Sequence, residues 1–233
     1  MSCVLKVEGL VECTFLKRRN RFVVEVLWEN ELTTAHLPNT GRLKGILFEG
    51  QRLLCKRQAS TRKHPLRIIA AGRGRLLSVI DTSLHEEVFR LAALSGIFPW
   101  LEEVEEIRRN PRIGDSTYDF LLLPSQRVVE IKSALYKTKE ECGAYPDAPS
   151  LRGRRHLEGL IKLASKGVKT LIIFSVGVPR MKCFSPLDEI DPMIRKLLRE
   201  ADAKGVMVRA FGIHLKSNEG CIAVYDSNLP VIL

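Results

Sequence analysis

Fourteen residues, 119–132, constrain this chain more than any other stretch; they read DFLLLPSQRVVEIK. Two apolar runs flank Pro124-Ser125-Gln126-Arg127, the composition of a short turn between paired strands. Side chains alternate along a strand, so Glu130 and Lys132 share a face. With Leu123 paired to Val128 across the turn, Leu121 falls opposite Glu130 and Asp119 opposite Lys132. Asp119, Glu130 and Lys132 then lie on one face, within about 5 to 8 Å of one another. The other residues are almost all apolar, as in strands buried on both faces. Two carboxylates and an ammonium are costly in such a setting unless they are put to use.

Carboxylates are hard oxygen ligands of the kind Mg²⁺ prefers, and Mg²⁺ keeps several of its waters. Beside such an ion, a lysine can orient or help deprotonate a water and offset charge on a phosphate. An aspartate, a gap, then Glu-x-Lys is the PD-(D/E)xK nuclease pattern, which Asp119 with Glu130-Ile131-Lys132 resembles. That pattern alone also arises by chance. An Asp–Lys cross-strand pair beside an exposed Glu accounts for the same three residues.

The chain has 233 residues, room for one large domain or two small ones. Its net charge of +10 is unevenly spread. Residues 1–80 hold 15 Lys and Arg against 6 Asp and Glu, whereas residues 81–233 hold 22 against 21. Concentrated positive charge is the footprint of a polyanion binder, although a solubilising surface is the plainer account. No apolar run approaches the length of a membrane span, so no membrane partner is expected. The start, MSCVLKVEG, lacks the apolar core of a signal peptide, which makes the cytoplasm the expected location. The six cysteines (3, 13, 55, 142, 183 and 221) show no C-x-x-C or zinc-finger spacing. They read as buried thiols, with a structural disulfide reserved for a hyperthermophile's protein.

Residues 1–80 read as a run of short strands. From Arg21 to Glu29, Phe22, Val24, Val26 and Trp28 alternate with Glu25 and Glu29; a turn at 29–31 leads into a partner strand ending at Leu37. Further strands fit 51–57, 66–70 and 75–80. A basic all-β unit of this size suggests a small barrel of the OB type, which commonly grips single strands in a basic groove. Arg18 and Arg19 fall in a basic loop. Asn39, Arg42 and Lys44 fall in a turn-rich loop whose two glycines allow close backbone approach to a phosphate.

From residue 81 the pattern becomes mixed. Asp81-Thr82-Ser83 caps a helix running to about Ser95, with Glu86 and Glu87 on its polar side. After the 119–132 hairpin, residues 135–149 read as a long loop. A helix from Ser150 to Ser165 then leads to a buried strand at 168–176, the signature of a parallel crossover. A second helix covers about 192–204, before strands near 206–212 and 221–226. On the helix after residue 150, Arg152 and His156 are four apart and face the same side, behind Asp147. They form a candidate phosphate-binding or acid–base cluster, or else a salt bridge and a surface histidine.

Several stretches, in order, carry a resemblance: LPNTG at 37–41, YDF at 118–120, VEIKS at 129–133, YPDA at 145–148, Arg152-Gly153, His156-Leu157, FSP at 184–186 and Ile190-Asp191. Together they closely resemble the sugar fermentation stimulation protein A (SfsA) family, over nearly the whole chain. The resemblance implies an N-terminal OB-like β-barrel, 1–80, and a PD-(D/E)xK nuclease-like α/β domain with a mixed sheet, 81–233. It also implies DNA binding and a link to regulation of sugar metabolism. Two departures stand out. Thr117 occupies a position that is usually basic. The helix acid expected one turn beyond an Asn falls on Leu91, with Glu86 at the Asn, so Glu87 is the candidate third acid.

These readings assign Asp119, Glu130 and Lys132 as catalytic, and Asp119, Glu130 and Glu87 as holding Mg²⁺ or Mn²⁺. Arg18, Arg19, Asn39, Arg42, Lys44, Arg152 and His156 are assigned to nucleic acid. The partner is DNA, with RNA and single strands left open. The expected function is DNA binding with a metal-dependent phosphodiesterase site. The alternative is a non-catalytic regulator with a vestigial nuclease fold.

Overall fold

The computed structural model describes residues 3–59 and 63–233; Met1 and Ser2 of the opening segment lie outside the described residues. The chain starts with β1 (Cys3–Lys6) and then winds five strands into a barrel: β2 (Leu10–Arg18), β3 (Val23–Trp28), β4 (Glu31–His36), β5 (Arg52–Arg57) and β6 (Leu66–Ala71). Their order is β4-β3-β2-β5-β6, and β4 pairs in parallel with β6 to close the ring, which is the expected OB arrangement. The β3–β4 turn puts Glu29 and Asn30 at φ 52° and 65°, the two positive-φ positions of a tight hairpin. Val24 and Val26 point into the barrel. Glu25, on the opposite face, is covered by ion pairs from Lys17 and Arg19.

After β7 (Leu76–Val79), Asp81 caps α1 (Thr82–Leu94) by accepting the Ser83 N–H at 3.0 Å. Short strands follow: β8 (Glu106–Arg109), β9 (Arg112–Ile113), β10 (Ser116–Thr117) and β11 (Phe120–Leu123). Then come β12 (Arg127–Ala134), β13 (Tyr136–Lys137), β14 (Cys142–Tyr145), α2 (Leu151–Ala164), β15 (Thr170–Val176), β16 (Cys183–Pro186), α3 (Pro192–Ala203), β17 (Met207–Lys216) and β18 (Cys221–Asp226). The second sheet runs β7-β17-β15-β12-β11-β8, with β12, β15 and β17 parallel and both ends antiparallel. The expected parallel crossover is β12–α2–β15.

Alternation along the central strands sorts the core. Val129, Ile131, Leu171 and Ile173 pack with Val88 and Phe89 of α1 on one face. Val128, Ile172 and Phe174 pack with Leu157 and Leu160 of α2 and Leu198 of α3 on the other. Glu130 and Lys132 therefore lie on the α2 side of a strand flanked on both edges.

Three expectations need correction. The hairpin pairs Phe120 with Val129, Leu121 with Val128 and Leu122 with Arg127, a register two residues from the expected one, because the connection is centred one residue earlier in the chain. A two-residue slip preserves side-chain facing, so the shared face survives and Asp119 stands across from Glu130. Residues 135–149 are not one loop: β13, β14 and β16 make a small separate sheet. Four of the six cysteines are paired rather than free. Cys3–Cys221 links β1 to β18, and Cys142–Cys183 joins residues in register between β14 and β16. Cys13 and Cys55 remain as buried thiols on neighbouring barrel strands. Thus β1, first in the chain, completes the edge of the second sheet rather than the barrel.

Candidate active site

The hairpin, α1 and the barrel meet at a cleft of about 390 Å³, whose walls include Asp119, Glu130, Lys132, Glu86, Gly41 and Asp147. Its geometry depends on how α1 is pinned to the barrel. Arg67 of β6 grips the capping Asp81 through both carboxylate oxygens at 2.5 and 2.8 Å. Asn39 donates to the Ile80 carbonyl at 3.2 Å, and the Thr82 hydroxyl donates to the Pro38 carbonyl at 3.1 Å. These bonds fix the first turns of α1 against the 38–41 loop and bring Glu86 to the cleft.

Glu130 is 1% exposed, yet it sits between two cations or potential cations. Its Oε1 accepts from the Lys132 ammonium and is hydrogen-bonded to Nδ1 of His156; Oε2, also buried, has no hydrogen-bond partner. Burial pushes the Glu130 carboxyl up, but His156 and Lys132 together outweigh it and hold it below its usual range. For Lys132, burial favours the neutral amine; Glu130, Tyr145 and Asp119 overcome this and keep it an ammonium. Asp119 accepts the Ile131 N–H at 2.7 Å. Burial, then the charge of Glu130, pushes its carboxyl up to about 6. Glu86 is pushed up to about 7, first by burial and then by Asp119. Three acids whose ionised forms repel one another lean on one space, a pattern that favours a cation between them.

The donor set suits a hard cation: carboxylate oxygens, one of them buried and unpartnered, with no thiolate nearby. Among the described residues, no group of three or more His, Cys, Asp or Glu side chains forms a ready metal cage. Asp119 and Glu130 could hold an ion that retains waters, with Glu86 beside them.

Of the two adjacent glutamates on α1, Glu86 and not Glu87 lines the cleft. Glu87 is held by Arg90 at 2.6 Å and by Arg109, outside the cleft, while Glu86 lines it. Adjacent helix positions are about 100° apart, so one acid faces the hairpin and the other does not. The signal was present in the sequence, since Arg90 follows Glu87 at i+3, the spacing of a surface ion pair.

The residues assigned to nucleic acid divide. Arg18 is absorbed into structure: its guanidinium donates to the carbonyls of Gly41 at 2.5 Å and Asn39 at 3.2 Å. Arg19 pairs with Glu25 at 2.6 Å. Asn39 lines the cleft but spends its amide on Ile80 and accepts the Gly41 N–H at 2.8 Å. Arg42 and Lys44 are exposed. Arg152 is exposed at the rim, its Nε 3.5 Å from Nε2 of His156, and His156 itself reaches Glu130 rather than solvent. Asp147 accepts the Leu43 N–H at 3.0 Å, and any Cβ at position 41 would strike its carboxylate, which is why the loop needs glycine there. Arg21, not singled out in the sequence, also lines the cleft.

A closed five-stranded OB barrel joined to a three-helix mixed-sheet unit, with an Asp-Glu-Lys cleft where they meet, defines a two-unit α/β protein. Residues 16–80 match the SfsA N-terminal OB domain, and residues 83–219 match the sugar fermentation stimulation protein RE domain. The chain belongs to the sugar fermentation stimulation protein family. A sugar fermentation stimulation protein homolog of Pyrococcus furiosus is 36% identical, over 91% of this chain and 93% of its own. One from Caldanaerobacter subterraneus subsp. tengcongensis is 33% identical, over 90% and 92%. The solved structure of Pyrococcus furiosus SfsA in complex with Ca²⁺ superposes with a TM-score of 0.93 at 34% identity, covering both chains fully. No helix among the described residues is long and apolar enough to cross a membrane.

Proposed function

We propose that this chain is a divalent-metal-dependent phosphodiesterase acting on DNA, with a nuclease-like second unit of the PD-(D/E)xK kind. The observation that carries the reading is Glu130: one oxygen is held by Lys132 and His156, and the other is buried without a partner. A buried, ionised oxygen left unpaired is expensive, and a cation shared with Asp119 removes that cost. The similar Pyrococcus furiosus protein was solved as a Ca²⁺ complex, which supports an oxygen-lined cation site. Mg²⁺ or Mn²⁺ is the proposed cofactor.

A bound divalent ion supplies Lewis-acid activation of water and phosphate. The rest falls to the protein. Asp119 and Glu130 hold the ion, and His156 fixes the orientation of Glu130 from behind. Lys132, held as an ammonium, is suited to stabilising charge that builds on phosphate and unsuited to abstracting a proton. Glu86 lines the cleft beside them. The surplus charge of the barrel side attracts the phosphate backbone, and exposed Arg42, Lys44 and Arg152 are its contact candidates.

The test is cleavage of labelled single- and double-stranded DNA and RNA, with Mg²⁺ or Mn²⁺, by the wild type and by Asp119→Asn. A second reading, DNA binding without hydrolysis, draws support from the lack of a ready three-ligand cage among the described residues. Tight binding without any cleavage would select it.

A further inference from the structure

A second cavity, about 480 Å³, is lined by Lys44, Gly45 and Ile46, just beyond the 39–41 stretch that lines the carboxylate cleft. Its lining is largely apolar and includes Ile46, Val178 and half-buried Tyr136, together with the exposed residues Lys44, Lys137 and Lys139. None of these three lysines is in an ion pair, although Glu140 and Glu141 are close enough to sense Lys139 and Lys137. Tyr136 lies on β13, which pairs with β14 of the small sheet, and Cys142–Cys183 links β14 to β16.

The two cavities are lined by neighbouring stretches of chain. Asn39, Thr40 and Gly41 line the cleft, and Lys44, Gly45 and Ile46 line the second cavity. Likewise, Lys132, Ser133 and Leu135 line the first, and the next residues, Tyr136 to Lys139, line the second.

We infer that the second cavity is a base-binding subsite for single-stranded nucleic acid, which takes one unstacked base against Tyr136 while Lys44, Lys137 and Lys139 hold the flanking phosphates. The chemistry of the pocket favours this occupant: a largely apolar slot that includes a tyrosine suits the face of a base, and three exposed lysines beside it attract phosphate. A duplex cannot offer a base to it without unpairing. The inference rests on the proposed polynucleotide substrate, but it concerns binding and needs no hydrolysis.

The experiment is fluorescence anisotropy of a labelled single-stranded oligonucleotide in EDTA, at several salt concentrations, with the full chain. The combined Lys44→Ala, Lys137→Ala, Lys139→Ala variant is expected to lower the slope of log affinity against log salt by about 2, as for three phosphates on a single strand. Tyr136→Ala is expected to weaken binding about 10-fold or more while Tyr136→Phe binds like wild type, the mark of a stacking ring. Circular dichroism of each variant separates loss of binding from loss of fold. Strand binding by wild type with an unchanged slope in the lysine variant, or equal binding by Tyr136→Ala, overturns the subsite and leaves the cleft's chemistry untouched. Displacement of the strand by deoxyadenosine monophosphate at the strand's own affinity would make the cavity a mononucleotide site and also overturn it. Binding with these signatures but without cleavage would uphold the subsite while the phosphodiesterase reading fell.

Discussion

His156 on α2 is hydrogen-bonded through Nδ1 to Oε1 of Glu130 on β12, so a helix on one face of the sheet sets the rotamer of the buried acid of the cleft. Arg152, one turn earlier, stands 3.5 Å from the other ring nitrogen. His156 therefore supports the acid, while Arg152 stays exposed at the rim.

Removing that support has a predicted signature. His156→Ala should weaken Mn²⁺ binding roughly 10- to 100-fold, as for other groups that orient a ligand from behind. It should also raise the Glu130 carboxyl, because His156 is the first influence holding it down. The pH at which binding is half-lost should move upward. Calorimetric Mn²⁺ titrations across pH 5 to 8 measure both; an unchanged pH profile would reduce His156 to packing.

Asp119 and Glu86 make the metal-free protein pH-sensitive in a fixed direction. Their folded carboxyls, near 6 and near 7, lie above the ordinary values of 3.8 and 4.5. The folded state thus holds these protons more tightly, and the stability they add at low pH is lost as pH rises through 6 and 7. Asp119→Asn in EDTA should be more stable than wild type at pH 8, by on the order of 2 to 3 kcal/mol, and equal to it near pH 4. Urea unfolding at the two pH values tests this. Lower stability of the variant at pH 8 would contradict the burial and repulsion described.

The basic loop residues should not behave alike. Arg42→Ala with Lys44→Ala should flatten the salt dependence of DNA affinity, since both side chains are exposed. Arg19→Ala should change it little, because Glu25 already neutralises that charge. Arg18→Ala should loosen the 38–41 loop and cost about 1 to 3 kcal/mol of stability, leaving carbonyls of Gly41 and Asn39 without their donor. Equal effects of all three on the salt slope would point to a diffuse basic surface.

Much of this architecture could be read from local pattern. The β3–β4 hairpin was legible in its alternation and its Glu-Asn turn, and α1 and α2 in their Asp81 and Ser150 caps. The shared face of Asp119, Glu130 and Lys132 survived a wrong register because strand facing has period two. What escaped was non-local. The Cys3–Cys221 link spans 218 residues, and no local pattern announces that β1 completes the edge beside β18. β14 and β16 pair across α2 and β15, so Cys142 read as an isolated thiol. Which of two adjacent glutamates enters the cleft depended on Arg90 and Arg109, one of them on a different element.

The central claim is metal-dependent hydrolysis at Asp119, Glu130 and Lys132, and Lys132→Ala tests it most directly. An ammonium is no metal ligand, so Mn²⁺ binding should survive the change, while cleavage of labelled DNA should fall about 100-fold or more for loss of a group that stabilises phosphate charge. Metal-dependent cleavage by wild type that collapses in Lys132→Ala, with Mn²⁺ affinity retained, is the result this account predicts. No cleavage by the wild type, or cleavage at the same rate by the variant, would contradict it.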